Sequence, residues 1–319
     1  MREVSEHAEP LPDGVTPRLG DRPVLAALAG AVAIAFSGIL FRVAHVSPST
    51  GAAFRCLYAL PPLALLAWLE DRRYGRRSFR QRVPGWAAGV FLAVDLVAWH
   101  KAIEEVGAGL GTVLGNTQVV LVGLLAWVIL RERPPTRVMA AIPVVLVGIV
   151  LISGALESGA YGRNPGLGVA YGALTAVAYS GFLLVLRAGN RDARRPAGPL
   201  FDASLVSGFV AIVIGLGFGD FDWTPGWRSQ GYLALLAFSS QTAGWLLISV
   251  TLPRLPAALT SVLLTLQPVL SVLFAAAILA ESPSALQVGG VVLIVAGLVV
   301  SSGRRQAKRR AAEPAFAEQ

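Results

Sequence analysis

The chain has very little of the side-chain chemistry on which soluble enzymes depend. Among 319 residues it contains one cysteine, Cys56, and three histidines, His7, His45 and His100. A single cysteine excludes an internal disulfide, and histidines in separate segments do not form the clustered ligand set of a metalloenzyme. The sequence also has neither a Gly-x-Ser-x-Gly nucleophile elbow nor a Walker phosphate-binding loop. We therefore expect no cofactor and no bound metal.

Charged residues are scarce as well. Only 14% of the residues are Asp, Glu, Lys or Arg, whereas 55% are hydrophobic and the mean hydropathy is +0.63. Several uncharged stretches reach about 20 residues, which is the length that crosses a hydrocarbon core of about 30 Å. Runs such as 288–300 do not alternate apolar and polar residues, as the strands of a transmembrane barrel would. The composition predicts an all-α polytopic membrane protein.

The longest regularity in the chain is a repeat at an offset of 149 residues. Residues 107–154 and 256–303 are identical at 17 of 48 positions. Matches between aliphatic residues mean little in so apolar a chain, but polar and turn residues recur too. These pairs are Gln118 with Gln267, Glu132 with Glu281, Pro134 with Pro283, and Gly148 with Gly297. A duplicated apolar half is typical of secondary transporters.

Ten apolar segments are long enough to be spans, five in each half. The first half holds 24–41, 50–69, 84–103, 109–130 and 138–153. The second half holds 167–186, 200–218, 231–252, 257–279 and 286–301. Short connections, often marked by Pro or Gly, separate them.

The basic residues give these spans an orientation, because Lys and Arg accumulate in cytoplasmic loops. If the N-terminus is cytoplasmic, 22 of the 27 basic residues fall in the tails and the inside loops. Both termini are therefore predicted to be cytoplasmic, and the net charge of +8 is explained without nucleic acid as a partner. Because five is an odd number, the second half would enter the membrane inverted relative to the first.

The chain divides accordingly into five parts. Residues 1–23 are polar and contain several prolines, and we predict a disordered cytoplasmic tail. Two five-helix repeats occupy 24–154 and 167–303, and an external linker, 155–166, joins them. Residues 304–319 form a basic cytoplasmic tail.

The fourth and ninth spans share an ending, a Glu close to a Pro. These are Glu132 with Pro134 and Glu281 with Pro283, and Arg55 stands near the start of the second span. Together with the two five-span repeats, this pattern resembles the EamA branch of the drug/metabolite transporter superfamily. The resemblance covers about residues 24–303.

The resemblance implies a secondary transporter of the cell membrane that exports small amino-acid-like metabolites or drugs by alternating access. Its partners would be a small-molecule substrate and the lipid bilayer. A proton or a counter-substrate stays open as the coupling partner, and so does the oligomeric state. The alternatives are a lipid or drug flippase of the same fold and an integral membrane enzyme. One departure from symmetry is Pro268, which has Val119 as its first-half counterpart, so a hinge is expected in the ninth span only.

Two ionisable residues lie within predicted spans. Asp95 is near the centre of the third span, where a charge costs about 2.5–3.5 kcal/mol on insertion scales. It is expected to contact a substrate amine, to carry a coupling proton, or to form a structural ion pair. Arg55 is expected to bind a carboxylate through both prongs of its guanidinium, to extend to the outer interface, or to lock two helices together through a carbonyl.

Amide and aromatic side chains complete the candidate cavity. Gln118 and Gln267 occupy matching positions, and Gln241 is the counterpart of Asp95. Buried amides need partners, which either a cavity wall or a neighbouring helix supplies. The aromatic candidates are Phe36, Trp99, Tyr179 and Trp245. Aromatic residues at span ends also form interfacial belts, so their number in the cavity stays open.

Charged residues also lie at the ends of the third, fourth and ninth predicted spans. The outer end of the third span carries His100, Lys101, Glu104 and Glu105. We interpret this group as a solvated helix end. We interpret Glu132 and Glu281 as helix caps or helix-end ion pairs.

Overall fold

The computed structural model describes residues 23–121, 136–189, 194–251 and 257–302. In these four stretches the regular secondary structure is helical and includes no strand. Six helices are long and apolar enough to cross a membrane, and three shorter apolar helices accompany them. Glu132, Pro134 and most of both predicted tails lie outside the described residues.

The first half contains six described helices. They are α1 (Pro23–Ala35), α2 (Ser37–Ala44), α3 (Pro48–Tyr74), α4 (Phe79–Val106), α5 (Ala108–Asn116) and α6 (Thr136–Ile152). The first predicted span contains two helices, because a single turn residue, Phe36, separates α1 from α2. The Ser37 hydroxyl donates to the Ile34 carbonyl at 2.6 Å, and such a local bond competes with regular helical geometry.

The second half contains a π-helical segment in addition to six α-helices. The helices are α7 (Pro165–Gly189), α8 (Ala197–Phe218), α9 (Trp227–Leu236), α10 (Trp245–Thr251), α11 (Ala257–Leu279) and α12 (Ala285–Ser302). The π-helical segment, Ala237–Gly244, joins α9 to α10. The eighth predicted span is therefore helical throughout its described length, but it is not a uniform α-helix.

Side-chain caps fix where α3 and α4 begin. The Ser47 hydroxyl accepts from the backbone N–H of Thr50 at 3.3 Å, and Pro48 occupies the first helical position, where no N–H is needed. Ser78 and Gln81 form a capping box at the start of α4. These two starts set the helical register of Arg55 on α3 and of Asp95 on α4.

The fifth and tenth predicted spans, α6 and α12, cross where glycines remove side chains. A Cβ atom at Gly148 would lie 2.8 Å from the Gly290 carbonyl oxygen, and a Cβ at Gly297 would lie 2.6 Å from the Val145 side chain. Only glycine permits backbones to approach so closely. The repeated pair Gly148 and Gly297 therefore belongs to one helix crossing.

Glu281 caps a helix of the opposite half. Its two carboxylate oxygens accept from the backbone N–H groups of Ala108 at 2.7 Å and Gly109 at 3.1 Å, which begin α5. Gly107 has a φ of 90°, and a Cβ there would lie 2.7 Å from the Glu281 carboxyl carbon. The interpretation of Glu281 as a helix cap is confirmed, and the helix dipole of α5 adds to this contact.

Five charged residues fasten the arginine-rich end, which we define as residues 70–82 together with 194–202. The carboxylate of Asp202 is fully buried and forms ion pairs with Arg77 at 2.8 Å and Arg82 at 2.7 Å. Glu70 accepts from the backbone N–H groups of Ala197 and Gly198, both at 2.8 Å, at the start of α8. Arg195 donates to the carbonyl oxygen of Gly75 at 2.6 Å. These bonds tie the α3–α4 connection of the first half to α8 of the second.

The interpretation of the α4 end as solvated is wrong for two of its four residues. His100 is fully buried, and Glu105 is buried beneath the connection that precedes α7. The Glu105 carboxylate pairs with the Arg163 guanidinium, and its backbone carbonyl accepts from the Arg163 N–H at 2.7 Å. The hydrogen bond that Arg163 donates to the Glu105 carboxylate raises the pKa of Arg163 above its usual value. Tertiary contact with a later connection, which no local pattern signals, covers this helix end.

Candidate functional site

Arg55 is the centre of a polar cluster between the two halves. It is 3% exposed, and its guanidinium donates from Nε to Gln241 Oε1 at 2.9 Å and from Nη2 to Ser240 Oγ at 3.2 Å. Both acceptors are buried, and Gln241 in turn donates to the Ser204 hydroxyl at 3.1 Å. The role of Arg55 as a helix-to-helix lock is therefore present in this structure. The same planar guanidinium also has the geometry that binds a carboxylate.

The π-helical segment explains how two consecutive residues reach one guanidinium. Ser240 and Gln241 both lie within Ala237–Gly244, where the helical turn is wider than in an α-helix. The wider turn changes the angle between neighbouring side chains, and short π-helical stretches occur frequently at functional sites. The sequence identified Gln241 but missed Ser240 and Ser204, because small hydroxyl residues in apolar helices carry no distinctive pattern.

Asp95 is the acidic member of the cluster. It is 7% exposed, and the Thr175 hydroxyl approaches its backbone carbonyl at 3.5 Å. Within the described residues, no ion pair within 4.0 Å joins Asp95 to Arg55 and no hydrogen bond reaches the Asp95 carboxylate. A buried acid without a bonded partner is available to a cation or a proton.

Aromatic rings surround these charges. The Arg55 guanidinium lies 5.7 Å from the Trp99 ring centre, and Trp245 meets Tyr179 edge-on at 6.1 Å. Phe182 completes the group with an edge contact to Trp245 at 5.5 Å. We name Arg55, Asp95, Trp99, Tyr179, Ser240, Gln241 and Trp245 the central cluster. Phe182 was not predicted, since it differs in no visible way from other apolar helix residues.

Four predicted site residues lie away from the central cluster's measured contacts. Phe36 packs on Phe274 of α11, with ring centres 4.4 Å apart. Gln118 is buried just beyond the end of α5, and Gln267 is half-buried in α11. Pro268 is buried inside α11, which continues on both sides of it. The central cluster thus contains six of the ten predicted site residues. A part for the other four in substrate binding or as a hinge stays a prediction.

A vestibule of about 480 Å³ lies at the end of the bundle opposite the arginine-rich end. It is lined by Phe41, Arg42, His45, Val46, Ser47 and Glu104. Its size falls within the range of small-molecule sites. Arg42 and Glu104 supply opposite charges on different helices.

The Phe41 ring separates this vestibule from the central cluster. It stacks on His100 with ring centres 3.7 Å apart and an angle of 3° between the planes. A Cβ atom at Gly51 would lie 2.6 Å from the same ring, so Phe41 is wedged between α3 and α4. Gly51 precedes Arg55 by one helical turn and shares its face of α3. The stacked pair therefore covers the central cluster from the vestibule side.

Phe41→Ala should open a path from the vestibule to the central cluster. Losing the stacked pair removes up to about 1.5 kcal/mol of ring contact, which corresponds to an increase of about tenfold in opening. The measurement is the reaction rate of a cysteine at position 240 with a membrane-impermeant thiol reagent, in a Cys56→Ser background. Ile39→Ala on the same helix is the control, since Ile39 is also buried but does not line the vestibule. Equal rates for the two variants would contradict the separating role of Phe41.

Comparison with known proteins identifies a family that the chain matches. The model of the EamA-like transporter family matches residues 21–154 and again residues 166–303. The chain is 26% identical over 289 residues to an uncharacterized transporter, YxxF, of Bacillus subtilis (strain 168), which covers 86% of this chain and 88% of the relative. A solved crystal structure of a protein 18% identical to the chain superposes with a TM-score of 0.57, covering 92% of this chain and 99% of that one. At that identity the superposition bears on the fold alone.

Proposed function

Because the chain belongs to the EamA-like transporter family, we propose that it is a secondary transporter that exports a small amino-acid-like zwitterion by alternating access. Its membrane-spanning helices and its family make it an integral membrane protein with a small-molecule substrate. Zwitterion recognition, export and alternating access are the proposal. The family assignment also favours transport over catalysis as the function.

The proposed architecture has ten spans in two inverted repeats, 24–154 and 167–303, with both termini in the cytoplasm. The arginine-rich end would then face the cytoplasm, in keeping with the preference of Arg for that side. The vestibule would face the exterior. In inverted-repeat transporters the substrate site lies near the membrane midplane between the halves. The central cluster takes its residues from both repeats, which supports placing the substrate there.

The observation that carries the substrate class is that Arg55 and Asp95, two opposite charges, form no ion pair with each other within the described residues and lie beside aromatic rings. Arg55 offers a planar fork that matches a carboxylate, and Asp95 offers an acceptor for an ammonium group. The rings of Trp99 and Trp245 offer apolar area for a side group. A zwitterion would neutralise both buried charges at once, whereas a purely cationic or anionic molecule would leave one of them without a partner.

The test is counterflow in proteoliposomes containing the purified protein. The panel contains neutral amino acids, their amides, which lack the carboxylate, and simple organic cations. The proposal predicts exchange of the neutral amino acids and much weaker exchange of their amides and of the cations. Exchange of cations in preference to zwitterions, or of none of the panel, would contradict it.

Asp95→Asn should abolish transport driven by a proton gradient while the protein still folds. Asparagine keeps the size of the side chain but carries no negative charge and does not take up and release a proton. The measurement is uptake against a gradient into proteoliposomes, with size-exclusion profile and thermal midpoint as controls of folding. Unchanged gradient-driven transport in the variant would remove Asp95 from both substrate binding and coupling.

A further inference from the structure

One bidentate edge of Arg55 is already occupied. A guanidinium can grip both oxygens of a carboxylate either side-on, through Nε and Nη2, or end-on, through Nη1 and Nη2, and the side-on edge is the one that the protein fills. In this structure Nε bonds the Gln241 amide oxygen at 2.9 Å, and Nη2 bonds the Ser240 hydroxyl at 3.2 Å. Two neutral oxygens of the protein thus stand where the two oxygens of a carboxylate would.

The same two residues satisfy Arg55 while the site is empty. A buried guanidinium without acceptors is strongly unfavourable, so some partner is required between transport events. Neutral oxygens are weaker acceptors than a carboxylate, because charge-assisted bonds on both sides are stronger than bonds with one neutral partner. A substrate carboxylate can therefore replace Gln241 and Ser240, whereas Gln241→Glu would resist replacement.

We propose that Ser240 and Gln241 are an internal substitute for the substrate carboxylate, displaced from Arg55 when substrate binds; this rests on the proposed zwitterion transport. Gln241 is then a specificity-determining residue, because it sets how strongly a carboxylate must bind Arg55 in order to displace the protein's own acceptors. It acts by competition, since the apparent affinity is reduced by the fraction of Arg55 that is engaged with the protein.

The π-helical segment connects this exchange to motion of the eighth predicted span. Ala237–Gly244 contributes both acceptors, and Gly244 packs close to α1, where an added Cβ would lie 2.9 Å from the Ile34 side chain. Release of Ser240 and Gln241 from Arg55 removes two bonds that hold the segment against α3. The Gln241 bond to Ser204 on α8 remains as its other support.

The experiment measures binding of L-leucine, L-phenylalanine and their amides to the purified protein by calorimetry. Gln241→Met removes the competing oxygen with little change in side-chain length, and L-leucine should bind about tenfold more tightly. Gln241→Glu supplies a charged competitor, and L-leucine should bind at least about tenfold more weakly. The amides should change by less than about twofold in either variant, because they do not use the carboxylate edge.

Ser239→Ala is the matched control. Ser239 lies in the same π-helical segment, but its hydroxyl bonds the Leu235 carbonyl at 2.6 Å instead of Arg55. Its affinities should equal those of the wild type. Hydrogen exchange of residues 237–244 is the second readout. L-leucine should change it in the wild type, and L-leucinamide should not.

The outcomes separate this inference from the proposed function. Weaker L-leucine binding by Gln241→Met would make Gln241 a positioning residue for Arg55 and would overturn the substitution. Equal changes for L-leucine and L-leucinamide would also overturn it, because they would indicate general loosening. If the wild type binds none of the amino acids, the proposed function fails and the inference fails with it.

Discussion

Arg55→Gln should lower transport at low substrate concentration by about 30-fold or more. Truncating one member of a buried, hydrogen-bonded charged contact costs about 2–5 kcal/mol, and each 1.4 kcal/mol corresponds to a factor of ten. Glutamine also leaves the Asp95 carboxylate without an opposite charge in the central cluster. The measurement is the initial rate of counterflow in proteoliposomes at substrate concentrations below saturation.

Two variants decide whether the effect belongs to the guanidinium fork. Arg55→Lys keeps the positive charge but loses the paired donors, so an intermediate rate is expected. Cys56→Ser alters the neighbouring residue, whose sulfur contacts the Ser207 hydroxyl at 3.4 Å, and should transport as the wild type does. Wild-type rates for Arg55→Gln would show that Arg55 serves only to join the helices.

Asp202→Asn should destabilise the protein by about 3 kcal/mol. The buried Asp202 carboxylate forms ion pairs with Arg77 and Arg82. Removal of one partner from a buried ion pair typically costs about 3–5 kcal/mol. Because the Arg82 side chain is 38% exposed, water offsets part of the loss. The measurement is the free energy of unfolding, or the thermal midpoint, of the purified protein in one detergent.

A double-mutant cycle and a second aspartate sharpen this test. Arg82→Gln should reduce the effect of Asp202→Asn, since the two residues share an ion pair and their energies are not additive. Asp222→Asn should have a small effect, because Asp222 is exposed beyond the end of α8. A similar loss of stability at both aspartates would indicate that the ion pairs at Asp202 are not responsible.

Hydrophobic run length predicted the helices well, because a membrane requires long apolar segments whatever their packing. The described helices fall where the spans were expected, with bounds that differ by a few residues. Residues 122–130 of the fourth predicted span lie outside the described residues. Arg55 and Asp95 were identifiable for the same reason: a charge inside an apolar run is unfavourable and so is rarely present without a role. Glu281 was recognisable as a cap from its place at a span end.

Other features depend on contacts that no local pattern contains. Arg55 and Gln241 are 186 residues apart in the chain, so their bond follows from the packing of α3 against the π-helical segment. The segment itself has no compositional signal in Ala237–Gly244. In the sequence Phe41 is an ordinary apolar residue and His100 belongs to a charged helix end. Their stack is visible only once α2 packs against α4.

Different groups fasten the two ends, which has an energetic consequence for the proposed alternating access. Two perfectly matched halves would give two conformations that are equivalent by symmetry and equally populated. Here Asp202 and Glu70 secure the arginine-rich end, whereas Glu281 and the pair of Glu105 with Arg163 secure the other end. A difference of about 2.7 kcal/mol is enough for a ratio of about 100 to 1 between the two conformations. The protein would then rest in one conformation, and a substrate would supply the differential binding energy needed to reach the other.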